Sequence, residues 1–317
     1  MSRQISGALL VNKHRDITSF GIIEAIRKSF TKKFPKMGHG GTLDPFATGL
    51  LIVCCGDAVK LARYFLGSDK SYEGMIKFGE TTVTGDPTVP ASETSDKLPA
   101  SIEEIRETAI KLTMQPYIQI PPMYSAKKKN GKPLYELARA GIEVEREEKI
   151  CFIRKFDIQA YDKPRARFSL ACGSGTYVRT LAQDLGRLLG SVALLENLHR
   201  VSSGPFDVSD SWSTEQIAEA MAQSKCFDEM PCWVPFDSLL KGYPHAIATA
   251  EEANDLFHGR QHALFNILRR AEFNEESDPN DQTAKSRVAV YCESKLVAVA
   301  CQNGKTWQLE RVFNREV

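Results

Sequence analysis

The sequence predicts an α+β protein made of a main domain over residues 1–238 and a small β-rich domain over residues 239–317. Three observations carry this. Strand-like apolar runs and amphipathic helical stretches alternate irregularly through the first part of the chain. A polar stretch rich in Thr, Ser and Pro, TTVTGDPTVPASETSDKLP, is too long to be a simple hairpin turn. From His245 the pattern changes to short alternating strands with turns at Glu293–Ser294 and Asn303–Gly304.

The elements follow in chain order. Ala8–Val11 is an apolar run that reads as a strand, and Thr18–Ser19 then reads as a helix start ahead of FGIIEAIRKSF, whose apolar residues recur at helical spacing. MGHGGTLDPFATG is a Gly-rich turn, and LLIVCC after it is a buried strand. AVKLARYFLGSDKSY predicts a short helix and a turn, and EGMIKFG a strand. SIEEIRETAIKLT is an amphipathic helix with Ser101 at its N-cap and Glu104 three residues on, the pattern of a capping box. Residues 117–150 form a basic loop, a short helix and a turn. CFIRKFDIQAYD and ARFSLACGSG alternate as strands, and TYVRTLAQDLGRLLG is a helix closed by Gly190. In the second domain AEEANDLFHG is a short helix, and an acidic loop is expected at about residues 271–286.

Composition excludes several classes. Hydrophobic residues make up 42% and charged residues 26%, as in ordinary globular proteins. The longest apolar runs are far too short to span a membrane, and the first residues carry no secretory pattern, so a cytoplasmic location is expected. The eight cysteines form no C-x2-C pair, which supports neither a zinc site nor a disulfide framework. His258 and His262 have metal-like spacing, but no Glu follows the first and Gly259 interrupts the helix, so no metal is expected. The net charge of +1 conceals an uneven distribution. Residues 1–80 hold 12 Lys/Arg against 7 Asp/Glu, residues 120–180 hold 13 against 7, and residues 205–281 hold 5 against 15. A basic face suits a polyanionic partner, although a mixed solvated surface has the same composition.

The chemistry concentrates in GHGGTLDPFATGLL, residues 38–51. Its glycines let backbone approach a ligand closely, and Pro45 holds Asp44 in an extended conformation that limits where the carboxylate points. An Asp-Pro pair alone is ordinary turn chemistry. The whole string resembles the signature of the TruB-type tRNA pseudouridine synthases. Three more stretches resemble that family in the same order: KLARYFLGSDKSYEG, QIPPMYSAKKKNGKPLYELARAGIEVER and GSGTYVRTLAQDLG, with LENLHR following. The resemblance covers residues 5 to about 208. The C-terminal part resembles, more faintly, the PUA-like domain of many members. Two departures stand out: Lys13–His14 where the family often has Lys-Pro, and Gly-Gly after His39 where many bacterial members have Thr-Gly.

The resemblance implies the pseudouridine synthase fold, with a mixed, mostly antiparallel central sheet flanked by helices. It implies isomerisation of the tRNA T-loop uridine (position 55 by convention), with no cofactor and no obligate protein partner, by a monomer. It assigns Asp44 as the catalytic carboxylate, Arg179 as its partner and Tyr72 as the residue that stacks on the base. A guanidinium fork would fix the carboxylate's direction and lower its pKa. A phenol can also serve as acid or base late in the reaction. By the same resemblance Lys60 supports the site by charge, Tyr177 and Leu198 form apolar walls, and His39 fills the space left by an extruded base. Lys127, Lys128, Lys129, Lys132 and Arg139, interleaved with Tyr124 and Tyr135, compose a phosphate clamp on the RNA. A binder that only helps tRNA fold, or a synthase for another RNA, are the competing readings. The intact set of Asp44, Tyr72 and Arg179 favours an enzyme.

Overall fold

The computed structural model describes residues 5–29, 35–129, 131–223, 226–271, 287–304 and 306–313. The chain divides into two compact units, Met1–Trp233 and Val234–Val317.

The first unit is organised by one sheet. Its main strands are β1 (Gly7–Lys13), β2 (Met37–His39), β3 (Thr48–Cys55), β4 (Lys70–Phe78), β7 (Ile153–Asp162), β8 (Arg165–Cys172) and β9 (Ala193–Ser203). Two further strands, β5 (Tyr117–Gln119) and β6 (Lys149–Cys151), form a separate antiparallel pair. The main order is β7-β8-β4-β9-β3-β1, with β2 also paired to β3. Along this run β9 and β3 are parallel, with Arg200 opposite Gly49, and the other neighbours are antiparallel. The expected mixed, mostly antiparallel sheet is what the chain forms.

Sequence period explains each strand's place. In β3 the uninterrupted run GLLIVCC is buried along its whole length, as a strand covered on both faces requires. In β4 and β8 buried positions alternate with more accessible ones. Gly49 has φ +99°, and a Cβ there would lie 2.4 Å from the Arg200 carbonyl oxygen, so only glycine allows β9 to lie this close.

Helices α1 (Ser19–Lys28), α2 (Ala62–Leu66), α3 (Ile102–Lys111), α4 (Leu134–Arg139), α5 (Val178–Leu188) and α6 (Thr214–Ala222) complete the unit. Helix α3 packs against β7 and α5 against β9, over a core that includes Ile76, Phe78, Ile105, Phe168, Leu181 and Leu185. Thr18 caps α1 by accepting from the Gly21 amide. At α3 the expected box is only half formed: Ser101 accepts from the Glu104 amide, but the Glu104 carboxylate takes the Ala100 amide instead.

Strands β5 and β6 bring the two ends of segment 117–150 side by side, with Tyr117 opposite Cys151. Between them lie a small hairpin, in which Lys128–Lys129 pairs with Lys132–Pro133, and then α4.

The second unit carries β10 (His245–Ile247), α7 (Ala250–Phe257), α8 (Gln261–Arg270), β11 (Arg287–Cys292), β12 (Lys295–Asn303) and β13 (Thr306–Val312), with the strands in that order. Its core joins Leu256, Leu264 and Ile267 to Val288, Val290 and Val297. Positive φ values at Glu293, Ser294 and Gly304 mark the two expected turns. Sequence reading missed β10, a three-residue strand too short to show a period, which pairs parallel to β11. The expected acidic loop falls, from residue 272 on, outside the described residues.

Candidate active site

Asp44 is held from both sides. On its N-terminal side the Ser19 hydroxyl bonds both the Leu43 amide (2.8 Å) and the Leu43 carbonyl (3.1 Å). On its C-terminal side the fully buried Lys13 ammonium donates to the carbonyls of Pro45 (3.0 Å) and Ala47 (2.6 Å), and also to that of His14 (3.0 Å). The Asp16 amide donates to Pro45 as well. Lys13 is thus a structural cation under the turn. Burial lowers its pKa to about 8, although Asp44 and Asp16 pull it upward.

Arg179, in the first turn of α5, takes the other end of the carboxylate. Its Nε donates to Asp44 Oδ2 (2.8 Å) and its Nη2 to Asp44 Oδ1 (3.2 Å), a fork-to-fork pair. The same guanidinium donates to the carbonyls of Thr84 (2.6 Å) and Tyr124 (2.8 Å) and lies 3.5 Å from Asp86. Arg179 is almost wholly buried, whereas the Asp44 side chain keeps 35% exposure. Asp86 is fixed by the Thr84 hydroxyl (2.9 Å), the Thr88 amide (3.0 Å) and the Thr88 hydroxyl. The polar loop between β4 and α3 therefore supplies the second carboxylate around Arg179.

Arg179 acts to lower the Asp44 pKa, as expected from the sequence, but the net shift is upward. Enclosure by protein is the larger effect and raises the Asp44 carboxyl above its ordinary value; Arg179 opposes this and Asp86 adds to it. The accessible third of the side chain opens into a cavity of about 240 Å³ lined by Asp44, Tyr72, Tyr177, Arg179 and Leu198, together with Lys70, Ser125 and Arg200. Five residues expected at the site are thus brought together. Burial pushes the Tyr72 hydroxyl up to about 12 and raises that of Tyr177.

The other expected residues lie elsewhere. Lys60 is not part of the cavity wall: it is half exposed and paired with Asp57 at 2.6 Å, so its charge is spent locally. The buried lysine at the cavity is Lys70, whose Nζ donates to the carbonyls of Phe65 (3.0 Å), Leu66 (3.3 Å) and Ser68 (2.6 Å), and whose pKa burial lowers to about 8. His39 ends β2, and its Nδ1 is buried without a hydrogen-bond partner among the described residues. Burial first, and Arg200 second, lower the His39 pKa, which favours the neutral ring. Lys127, Lys128, Lys129, Lys132 and Arg139 are exposed on segment 117–150. Lys129 donates to the Glu145 carbonyl, and the Arg139 guanidinium sits 5.7 Å from the centre of the Tyr135 ring.

That segment is tied to α5 at its root. Gln119 donates from Nε2 to the Tyr177 carbonyl (3.0 Å) and accepts from the Tyr177 amide (2.7 Å). The Tyr117 hydroxyl donates to Asp184 on the same helix. Tyr177 is the N-cap residue of α5, two positions before Arg179.

Sequence reading missed Lys70, Asp86 and Arg200. Period two supplied a signal for two of them, since Lys70 shares a strand face with Tyr72, and Arg200 with Leu198. Asp86 sits in a polar loop with no period to mark it.

This arrangement, a mixed sheet with an arginine-clamped carboxylate at the mouth of a cavity, shares its fold with solved structures. The solved Cbf5-Nop10-Gar1 complex matches with a TM-score of 0.67 at 18% identity, over 96% of this chain and 84% of that one. An H/ACA RNP bound to a substrate RNA containing 2′-deoxyuridine matches at 0.66 and 17%, over 98% and 85%. At these identities the likeness is one of fold. The chain belongs to the TruB family of pseudouridylate synthases: the family's N-terminal domain matches residues 27–178, and the tRNA pseudouridylate synthase B C-terminal domain matches residues 179–241. It is 39% identical to tRNA pseudouridine synthase B of Nitrosospira multiformis over 263 residues, 81% of this chain and 82% of the relative. It is 40% identical to that of Bordetella parapertussis over 225 residues, 70% and 90%. No described helix is long and apolar enough to cross a membrane.

Proposed function

We propose that the protein isomerises the T-loop uridine of tRNA, position 55 by convention, to pseudouridine, with Asp44, Tyr72 and Arg179 as its catalytic residues. The observation that carries this reading is the Asp44–Arg179 pair at the cavity. A carboxylate fixed by a planar fork, with part of its surface open, is set to act on one face of an enclosed nucleotide. The reaction breaks N1–C1′, turns the base and joins C5 to C1′. Composition is unchanged, so neither a redox cofactor nor an energy source is required. Asp44 acts on the sugar or base as nucleophile or proton acceptor. Tyr72 stacks on the uracil, and Tyr177 and Leu198 wall the pocket.

A loop uridine reaches such a cavity only by leaving its stack. His39, held neutral at the end of β2, is suited to fill the space the base vacates. Lys127, Lys128, Lys129, Lys132 and Arg139 form the exposed basic surface that grips T-arm phosphates. In this reading residues 239–317, within the second unit, form a PUA-like accessory domain, and the enzyme acts in the cytoplasm as a monomer.

The decisive experiment incubates the purified protein with an unmodified tRNA transcript and maps pseudouridine by carbodiimide-dependent primer extension. A single stop at the T-loop uridine is expected, and none with the Asp44→Asn variant. A stop at another position, or the same stop with Asp44→Asn, would overturn the assignment.

A further inference from the structure

Arg200 is one of the largest fully buried side chains in the protein. It stands opposite Tyr72 across β9 and β4, and both line the cavity. Its Nε donates to the Leu50 carbonyl (2.7 Å), its Nη2 to that of Gly41 (3.1 Å) and its Nη1, more weakly, to that of Thr42 (3.4 Å). Tyr72 is its cross-strand neighbour at the cavity, and the Arg200 charge favours the ionised form of the Tyr72 hydroxyl. The backbone partners are neutral carbonyls, so they satisfy the donors without cancelling the charge. A buried cation kept in this state is costly unless a negative charge forms beside it.

We propose that Arg200 is a positioning residue for the reaction, a fixed counter-charge that lets Tyr72 act as the base at uracil C5. This rests on the reading of the site given under Proposed function. Once C5 is joined to C1′, that carbon still carries its hydrogen. Tyr72, having given its own proton to solvent, takes the C5 proton on its phenolate oxygen. The C5–H electron pair becomes the C5=C6 bond, the C6=N1 π pair moves to N1, and N1 takes a proton from water. One proton enters solvent and one returns, so the step balances without a co-reactant.

Burial works against the phenolate, and Arg200 is the first contribution in its favour. The same guanidinium braces Gly41 and Thr42, just before Asp44, so one side chain sets both the carboxylate's turn and the phenol's charge.

The test is single-turnover kinetics with tRNA carrying either hydrogen or deuterium at uridine C5, for wild type, Arg200→Gln, Arg200→Lys, Tyr72→Phe and Arg200→Gln with Tyr72→Phe. Arg200→Gln is expected to slow turnover about 10²-fold, the usual scale of one proton-transfer contribution. Its deuterium effect should exceed that of the wild type, because C5 deprotonation becomes the slow step. An isotope effect is a ratio, so a smaller folded fraction does not alter it. Arg200→Lys keeps a charge and should fall between the two; it replaces the glutamine variant, in the cycle too, if that chain does not fold. In the Tyr72→Phe background the Arg200 substitution should cost almost nothing more, since the group it serves is gone. Full additivity in the cycle, or isotope effects equal to wild type in the Arg200 variants, would reduce Arg200 to a brace for the turn. Failure of the wild type to form pseudouridine would instead remove the reading on which the inference rests.

Discussion

Replacing Arg179 by lysine keeps the charge and removes the fork. The wild-type guanidinium reaches both Asp44 oxygens, at 2.8 and 3.2 Å, while also holding Thr84 and Tyr124. An ammonium on a flexible stem can serve one carboxylate oxygen, and only by releasing a carbonyl. A charge-assisted hydrogen bond contributes about 1.5–3 kcal/mol. Losing one to Asp44, roughly 2 kcal/mol, corresponds to about a 30-fold slower step at 1.4 kcal/mol per tenfold. Loss of direction at the carboxylate brings the expected decrease to about 10²-fold. The single-turnover rate should carry this loss while tRNA affinity, measured by filter binding, changes little, because binding is spread over many contacts. The pH profile adds a signed test. The Asp44 carboxyl already titrates above its ordinary value because burial outweighs Arg179. An ionised carboxylate loses activity as pH falls through its folded pKa. Weakening the partner raises that pKa further, so the acid limb of Arg179→Lys should move to higher pH. A variant within threefold of wild type, or an acid limb moved downward, would refute the fork argument.

Three further outcomes are expected. Neutralising Lys127, Lys128, Lys129 and Lys132 should weaken tRNA binding and flatten the plot of log K against log salt by roughly 0.7–0.9 per lost phosphate contact; an unchanged slope would make these lysines a solvated loop. His39→Ala should slow reaction on a folded T-loop far more than on an unstructured oligonucleotide with the same uridine, since only the first has stacking to replace; equal losses would put His39 in the chemistry. Lys13→Met should lower the unfolding free energy, read from denaturant titration, by about 3 kcal/mol, because three carbonyls lose a charged donor. As the folded pKa of Lys13 is lowered to about 8, the folded state binds fewer protons than the unfolded state between there and 10.5. The stability advantage of wild type over this variant should therefore grow with pH across that window; an advantage that shrinks would contradict the burial argument.

Legibility followed period and motif. The gathering of Asp44, Tyr72 and Arg179 at one cavity was readable because a long specific string surrounds each of them, and β3 was readable from its run of consecutive apolar or small residues. Lys60 misled because it stands in the right segment, and only the fold shows that its ammonium turns to Asp57 while Lys70 enters the cavity. Asp86 could not be read: its partner is 93 positions away and its own loop has the composition of any polar connection. The downward pull of Arg179 on Asp44 was legible, but the larger upward effect of burial was not, for a related reason. Charge pairing can be inferred from residue types, but desolvation depends on everything packed around them.

The fastening of segment 117–150 has a consequence for exchanging parts between such enzymes. Because β5 and β6 start and finish side by side, the segment looks like a detachable arm that a short turn could replace. Its root is not detachable. Gln119 grips both backbone groups of Tyr177, Tyr117 reaches Asp184 further along, and the Tyr124 carbonyl accepts from Arg179 itself, so the arm is bolted at three points to the helix that carries Arg179. A graft cut beyond Ser125 should leave the carboxylate clamp in place, because Arg179 also donates to the Tyr124 carbonyl. A graft that removes Gln119 should loosen the start of α5, so that swapping a recognition arm would also detune the chemistry.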